Sequence, residues 1–120
     1  MSKICIADDD ADIIGILKMM LQTRGHQVIA TTNPTELLTM GSENPDLIIL
    51  DLWMSGIDGR DILTSLRSQE STKHIPIVFM SANASLKEIA AEYNADDFIE
   101  KPFDMGFMLN KIQEVIARSK

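Results

Sequence analysis

The chain has 120 residues, 45% of them apolar and 24% charged, which suits one globular domain able to bury a core without disulfide or metal staples. Eleven basic against eighteen acidic side chains give a formal charge of −7, which argues against direct nucleic-acid binding. The single cysteine, Cys5, excludes an internal disulfide and fits a reducing compartment; in mid-strand it reads as a packed, inert thiol.

Strand-like and helix-like segments alternate along the chain. Met1-Ser2-Lys3 leads directly into a buried strand at Lys3–Ala7, which leaves no room for a signal peptide. A helix over Asp12–Thr23 with Asp10 as its N-cap stops at Gly25. A strand at Gln27–Thr31 and a helix near Thr35–Gly41, entered through Asn33-Pro34, follow. Asp46–Leu50 is a continuous apolar strand, as expected when both faces of a sheet are covered. Gly59–Arg67, Ile75–Met80, Leu86–Tyr93 and Phe98–Glu100 read as helix, strand, helix and short strand. The last helix spans Asp104–Ala117, with Phe107, Met108, Ile112, Val115 and Ile116 at its apolar positions. Five β/α units in this order predict a parallel sheet with helices on both sides. No apolar stretch is long enough to cross a bilayer, so the expected location is cytoplasmic, away from membranes.

Four motifs end apolar strands: Asp8-Asp9, Asp51, Ser81-Ala82 and Lys101-Pro102. A parallel sheet gathers the C-terminal ends of its strands along one edge, where α/β folds place ligands. Three carboxylates, a hydroxyl and an ammonium would converge there, a set that suits a divalent metal and a phosphoryl group. Asp51 is the candidate nucleophile, since carboxylate attack on phosphorus gives an acyl phosphate. Two carboxylates about 4 Å apart repel by roughly 4 kcal/mol at an effective dielectric near 20, so a cation is expected among Asp8, Asp9 and Asp51. Lys101 would pair with the free carboxylate and later with a phosphoryl oxygen. Ser81 could donate to that oxygen or be an ordinary turn residue, and Pro102 is the candidate for a cis peptide that aims the lysine.

The order of these motifs resembles the receiver domains of two-component response regulators, the CheY-like superfamily, over essentially the whole chain. The resemblance implies a (βα)5 flavodoxin-like three-layer sandwich with a five-stranded parallel sheet of order 2-1-3-4-5. It implies one receiver domain over residues 1–120, with no output domain in this chain. Asp51 matches the phosphoacceptor, Asp8 and Asp9 the acidic pair, and the backbone carbonyl of Trp53 the third protein ligand of Mg²⁺, for which Mn²⁺ would substitute. Ser81 matches the switch hydroxyl, Lys101 the lysine, and Phe98 the switch aromatic. Gly56-Ile57-Asp58-Gly59 looks like the family's turn after the phosphorylation site.

Two departures stand out. Met54 is followed by Ser55 where the family usually has proline, and Trp53 is a large aromatic where smaller residues are common. The indole either screens a phosphoryl group from water, prolonging its lifetime, or lies outward as a docking surface.

As the resemblance has it, a histidine kinase or histidine phosphotransfer protein supplies the phosphoryl group. The surface formed by the fourth helix, fifth strand and fifth helix then passes the signal to a downstream protein or a linked output domain. Tyr93 and Phe98, with Met105 and Met108 nearby, are the expected contacts on that surface. On the first helix, Ile13, Ile16, Leu17 and Met20 suit the buried face, while Ile14, Lys18 and Leu21 are expected beside it as part of a donor-docking patch. The module is expected to be a monomer with a phosphorylation-dependent dimer in reach, and no enzyme beyond its own phosphorylation and dephosphorylation. His26 and His74 show no ligand spacing.

Three other readings are weaker. A small phosphohydrolase with Asp51 as nucleophile would want a general acid where Trp53 stands. A flavin-binding protein would need a phosphate-binding loop where Asp8-Asp9-Asp10 would repel phosphate. A receiver-like module that binds partners without phosphorylation has no need of the reactive groups that are all present.

Overall fold

The computed structural model describes residues 2–40, 43–54 and 56–119. Its elements in chain order are β1 (Lys3–Ala7), α1 (Ala11–Thr23), β2 (Gln27–Thr31), a 3₁₀ turn (Pro34–Glu36) running into α2 (Leu37–Met40), and β3 (Leu47–Asp51). There follow β4 (Trp53–Met54), β5 (Ile57–Asp58), α3 (Gly59–Arg67), β6 (Ile77–Ser81), α4 (Leu86–Glu92), β7 (Asp97–Glu100) and α5 (Met105–Arg118). The main sheet is parallel, in the order β2-β1-β3-β6-β7. Counting only its five strands, that is the expected order 2-1-3-4-5, and the fold is the flavodoxin-like sandwich.

The sheet separates two apolar layers because successive strand side chains point to opposite faces. Ile4, Ile6, Ile49 and Val78 face Leu17 and Leu21 of α1 and Met108 and Ile112 of α5. Cys5, Ile48, Leu50 and Phe79 face Leu37, Ile62, Leu66 and Leu86 on the other side. Each of these side chains is at most 5% exposed. Removing a Leu or Ile here would cost about 2–5 kcal/mol.

Local chemistry sets the element boundaries. Asp10 caps α1, its carboxylate accepting from the N–H groups of Asp12 (3.0 Å) and Ile13 (3.2 Å). Asp58 caps α3 through Arg60 N–H at 2.8 Å, and Asp104 caps α5 through Gly106 N–H at 3.2 Å. Carboxylates also pin the starts of two strands: Asp46 accepts from Lys3 N–H, and Asp96 from Ile77 N–H and the Arg67 guanidinium.

Several expectations need correction. The helix expected near Thr35–Gly41 opens as a 3₁₀ turn and is α-helical over Leu37–Met40 among the described residues, outside which Gly41 lies, as do Met1 and Ser55. The antiparallel β4–β5 hairpin, which turns at Gly56 (φ +78°), is an addition to the expected elements. The buried stripe of α1 is centred on Leu17 and Leu21, both 1% exposed, whereas Ile16 is 49% exposed. Leu17 and Leu21 lie one turn apart and meet the sheet together, which rotates Ile16 outward. Phe107, expected at an apolar position of the last helix, is 54% exposed, and Leu109 takes its place in the core. No described helix is long and apolar enough to cross a membrane.

Candidate functional site

β1, β3, β6 and β7 deliver their last residues to one edge. β3 ends on Asp51, which is 7% exposed, and β1 leads into Asp8, which is fully buried. Lys101 follows β7, and its ammonium lies 2.8 Å from Asp8 Oδ2 and 3.2 Å from Asp51 Oδ2. The other Asp8 oxygen accepts from Asp10 N–H at 2.9 Å, so this carboxylate is held at both ends. Asp9 is exposed, yet Asp8, Asp9 and Asp51 each offer a carboxylate oxygen within 4.8 Å of the others. Three carboxylates against one ammonium leave an excess of negative charge in a space sized for one cation, and a hard oxygen-only donor set suits Mg²⁺.

Burial pushes the Asp51 carboxyl up from its ordinary 3.8 to about 6, with the charge of Asp8 adding to the rise and Lys101 opposing it. Desolvation works against the Lys101 ammonium, but its hydrogen bond to Asp8 and the charges of Asp51 and Asp8 hold it above its ordinary value. Lys101 thus stays charged while Asp51 is poised near neutrality.

Backbone bonds tie these ends together. Lys101 N–H donates to Ser81 C=O at 2.9 Å, and Leu52 N–H to Met80 C=O at 3.1 Å. Ser81 closes β6, 8% exposed, with its hydroxyl oxygen accepting from Asn83 N–H at 3.0 Å. The Lys101–Pro102 peptide is cis. Behind Asp51, Gly59 opens α3 with its N–H 2.6 Å from Leu52 C=O. A Cβ on Gly59 would lie 2.5 Å from the Asp51 carbonyl oxygen, so only glycine fits.

The other predicted residues divide. Trp53 lies on β4, 60% exposed, so most of its indole faces solvent, as the outward reading expected. Phe98 is half-buried on β7 against the layer of α3 and α4, and Tyr93 is half-buried with the Arg60 guanidinium 6.0 Å from its ring centre. Arg60 is itself held bidentately by Asp58, whose carboxyl it keeps below the usual range through its hydrogen bonds. The docking trio does not form a patch: Lys18 is exposed, Ile14 half-buried and Leu21 in the core. The exposed large apolar residues of α1 are Ile16 and Met19, the latter 61% exposed. Beside them Ile13, Ile16, Leu17, Phe103 and Met105 line an apolar hollow of about 490 Å³ that reaches Lys101. The sequence signal for the exposed apolar face is the spacing of Ile16 and Met19, which puts both on one side of the helix; Met19 itself does not line the hollow.

Comparison with known proteins agrees with this geometry. The family model for the response regulator receiver domain matches residues 4–113. The transcriptional regulatory protein YxdJ of Bacillus subtilis is 36% identical over 122 residues, covering 99% of this chain and 52% of that protein. The chain spans about half the length of the curated relatives it matches. Among solved structures, the chemotaxis response regulator CheY4 of Vibrio cholerae superposes with a TM-score of 0.87 at 25% identity, covering 96% of this chain and 98% of that one. The response regulator TrrA of Thermotoga maritima, solved in complex with Mg²⁺ and BeF, gives 0.84 at 28% identity, covering 96% and 99%. The chain belongs to the response regulator receiver domain family of two-component systems.

Proposed function

We propose that this chain accepts a phosphoryl group on Asp51 and uses it to change the surface it offers a downstream partner. The observation that carries this reading is the junction of Lys101 with Asp8 and Asp51 beside Asp9 at one strand edge. Asp8, Asp9, Asp51 and the Trp53 carbonyl would hold Mg²⁺, which on binding offsets the repulsion between carboxylate and phosphoryl oxygens. Mn²⁺, with the same preference for oxygen, would serve too. An Asp51 oxygen attacks phosphorus, the P–N bond to a donor histidine breaks, and the imidazole leaves with the bond's electron pair. Lys101 turns from the Asp51 carboxylate to a phosphoryl oxygen, and the Ser81 hydroxyl donates to another.

Charge-assisted hydrogen bonds contribute roughly 1.5–3 kcal/mol each. Two made only in the phosphorylated state would shift a two-state equilibrium by about 3–5 kcal/mol, some hundred- to thousandfold. Phe98 follows Ser81 inward, and the face of α4, β7 and α5, including Tyr93, is the readout surface.

The donor is a histidine kinase or histidine phosphotransfer protein. Its docking site on α1 is reassigned from Ile14 and Leu21 to Ile16, Met19 and the hollow beside them, with Lys18 kept at the edge. The chain acts as a single cytoplasmic receiver unit, is no enzyme toward a separate substrate, and controls a protein partner or linked domain rather than nucleic acid directly.

Intact mass after incubation with Mg²⁺ and acetyl phosphate tests the reading. One added phosphoryl group is expected on wild type, absent from Asp51→Asn and from an EDTA control. No adduct on wild type, together with no beryllofluoride binding, would leave a module that signals without phosphate.

A further inference from the structure

Two hollows flank the loop that follows β7, the first apolar and the second an aromatic floor rimmed by the charged groups of Glu100, Asp104 and Lys111. The first, about 490 Å³, lies against α1 and is lined by Ile13, Ile16 and Met105. The second, about 430 Å³, is lined by Phe98, Phe107 and Lys111. Pro102 and Phe103 line both. The Pro102 ring is fixed to its backbone, whereas Phe103 turns about two side-chain bonds. Phe103 is only half-buried, resting on the α1–α5 layer, so its ring is not locked by a close-packed shell.

We propose that Phe103 is a shared, movable wall: an apolar side chain seated in either hollow drives its ring toward the other and closes it. Displaced from one hollow, the ring regains the dispersion attraction it forfeits by packing against the wall of the other, and turning into water would regain none. Resting on the proposed function, the consequence is that a donor docked on α1 and a partner docked on the readout face exclude each other. Once engaged by its output the domain sheds its donor, with no movement of the sheet required.

The test fills the second hollow covalently and watches the first. In Phe107→Cys the new thiol sits at an exposed position, whereas Cys5 is fully buried and its thiol is pushed up to about 11, mainly by that burial. Benzyl methanethiosulfonate therefore labels the introduced thiol alone, placing a ring in the second hollow. The expected result is that the methyl NMR signals of Ile13, Ile16 and Met105 shift on labelling while those of Met54 and Met80, both fully buried, stay. The Ile13, Ile16 and Met105 shifts disappear when Phe103→Ala is added. Methyl signals that stay put on labelling, or that move equally without the Phe103 ring, overturn the proposal. Neither result depends on phosphorylation, so a protein that fails to take a phosphoryl group at Asp51 sinks the receiver reading and leaves this one standing.

Discussion

Lys101 is bound more closely to Asp8 than to Asp51, at 2.8 Å against 3.2 Å. The fully buried Asp8 is thus the residue that fixes the ammonium, leaving the second contact loose enough to be exchanged. Burial and the neighbouring charge of Asp8 outweigh this contact, so Asp51, although beside a cation, is still pushed upward to about 6. Asp51 is therefore a group the apo fold tolerates poorly when ionised.

The sign of that burden is testable. A carboxyl raised from 3.8 to about 6 takes up a proton in the native state before the unfolded chain does. It therefore adds stability as pH falls through this window and detracts from stability above it. In metal-free buffer, Asp51→Asn is expected to be more stable than wild type at pH 7.5, by no more than about 3 kcal/mol. The gap closes between about pH 6 and pH 4. Urea denaturation across this range in EDTA checks it; a gap that widens toward acid contradicts the assignment.

Lys101→Ala removes the only cation that the described contacts give Asp8 and Asp51. Leaving buried carboxylates uncompensated costs about 3 kcal/mol at neutral pH. The loss should shrink in acid, where the Asp51 carboxyl takes up its proton, and under saturating Mg²⁺. A simple packing defect would respond to neither, so thermal melts with and without Mg²⁺ separate the two explanations.

Asp9 is exposed but stands in the carboxylate cluster, so Asp9→Asn should relieve repulsion and leave metal-free stability no lower than in wild type. In wild type, Mg²⁺ at a hundred times its dissociation constant stabilises by about 2.7 kcal/mol. That increment should vanish in the variant. Trp53, the only tryptophan and largely exposed, offers a fluorescence titration as a second readout. A variant that keeps the full Mg²⁺ response would remove Asp9 from the metal site.

Ile16→Glu should fold normally and take phosphate from acetyl phosphate at the wild-type rate, while losing transfer from a histidine-phosphorylated protein donor. Leu21→Glu should instead lose stability outright, because a charge would enter a position that is 1% exposed. Equal loss with both donors in Ile16→Glu would take the docking role from this face.

How much of the molecule is legible in its sequence follows from where each signal resides. A parallel sheet with helices on both faces is legible because alternating apolar runs and helices leave few topologies, whereas the strand order comes from the resemblance to receiver domains. Lys3–Ala7, Gln27–Thr31 and Gly59–Arg67 are bounded as expected, since Asp58 and the flanking polar residues mark the ends. The residues at the strand edge are legible as a set because each directly follows an apolar run. The rotation of α1 is not. Ile13, Ile14, Ile16, Leu17, Met20 and Leu21 cover so much of the helix that several faces look equally apolar, and only packing on the sheet decides. The β4–β5 hairpin leaves no trace in the sequence pattern because two-residue strands carry no periodicity. Phe103 is equally silent, because a lone aromatic after a proline reads as loop.

Gly59 gives the cleft a direction. With α3 already in van der Waals contact with the Asp51 backbone, nothing on that side can yield by even a methyl group. New bulk on the Asp51 side chain therefore meets an anvil behind it. In the proposed phosphorylated state the recoil would be delivered across the cleft, to Ser81 and Lys101, whose backbones are bonded to each other. A missing side chain on the silent wall would make the proposed response a stroke with a heading rather than a general swelling.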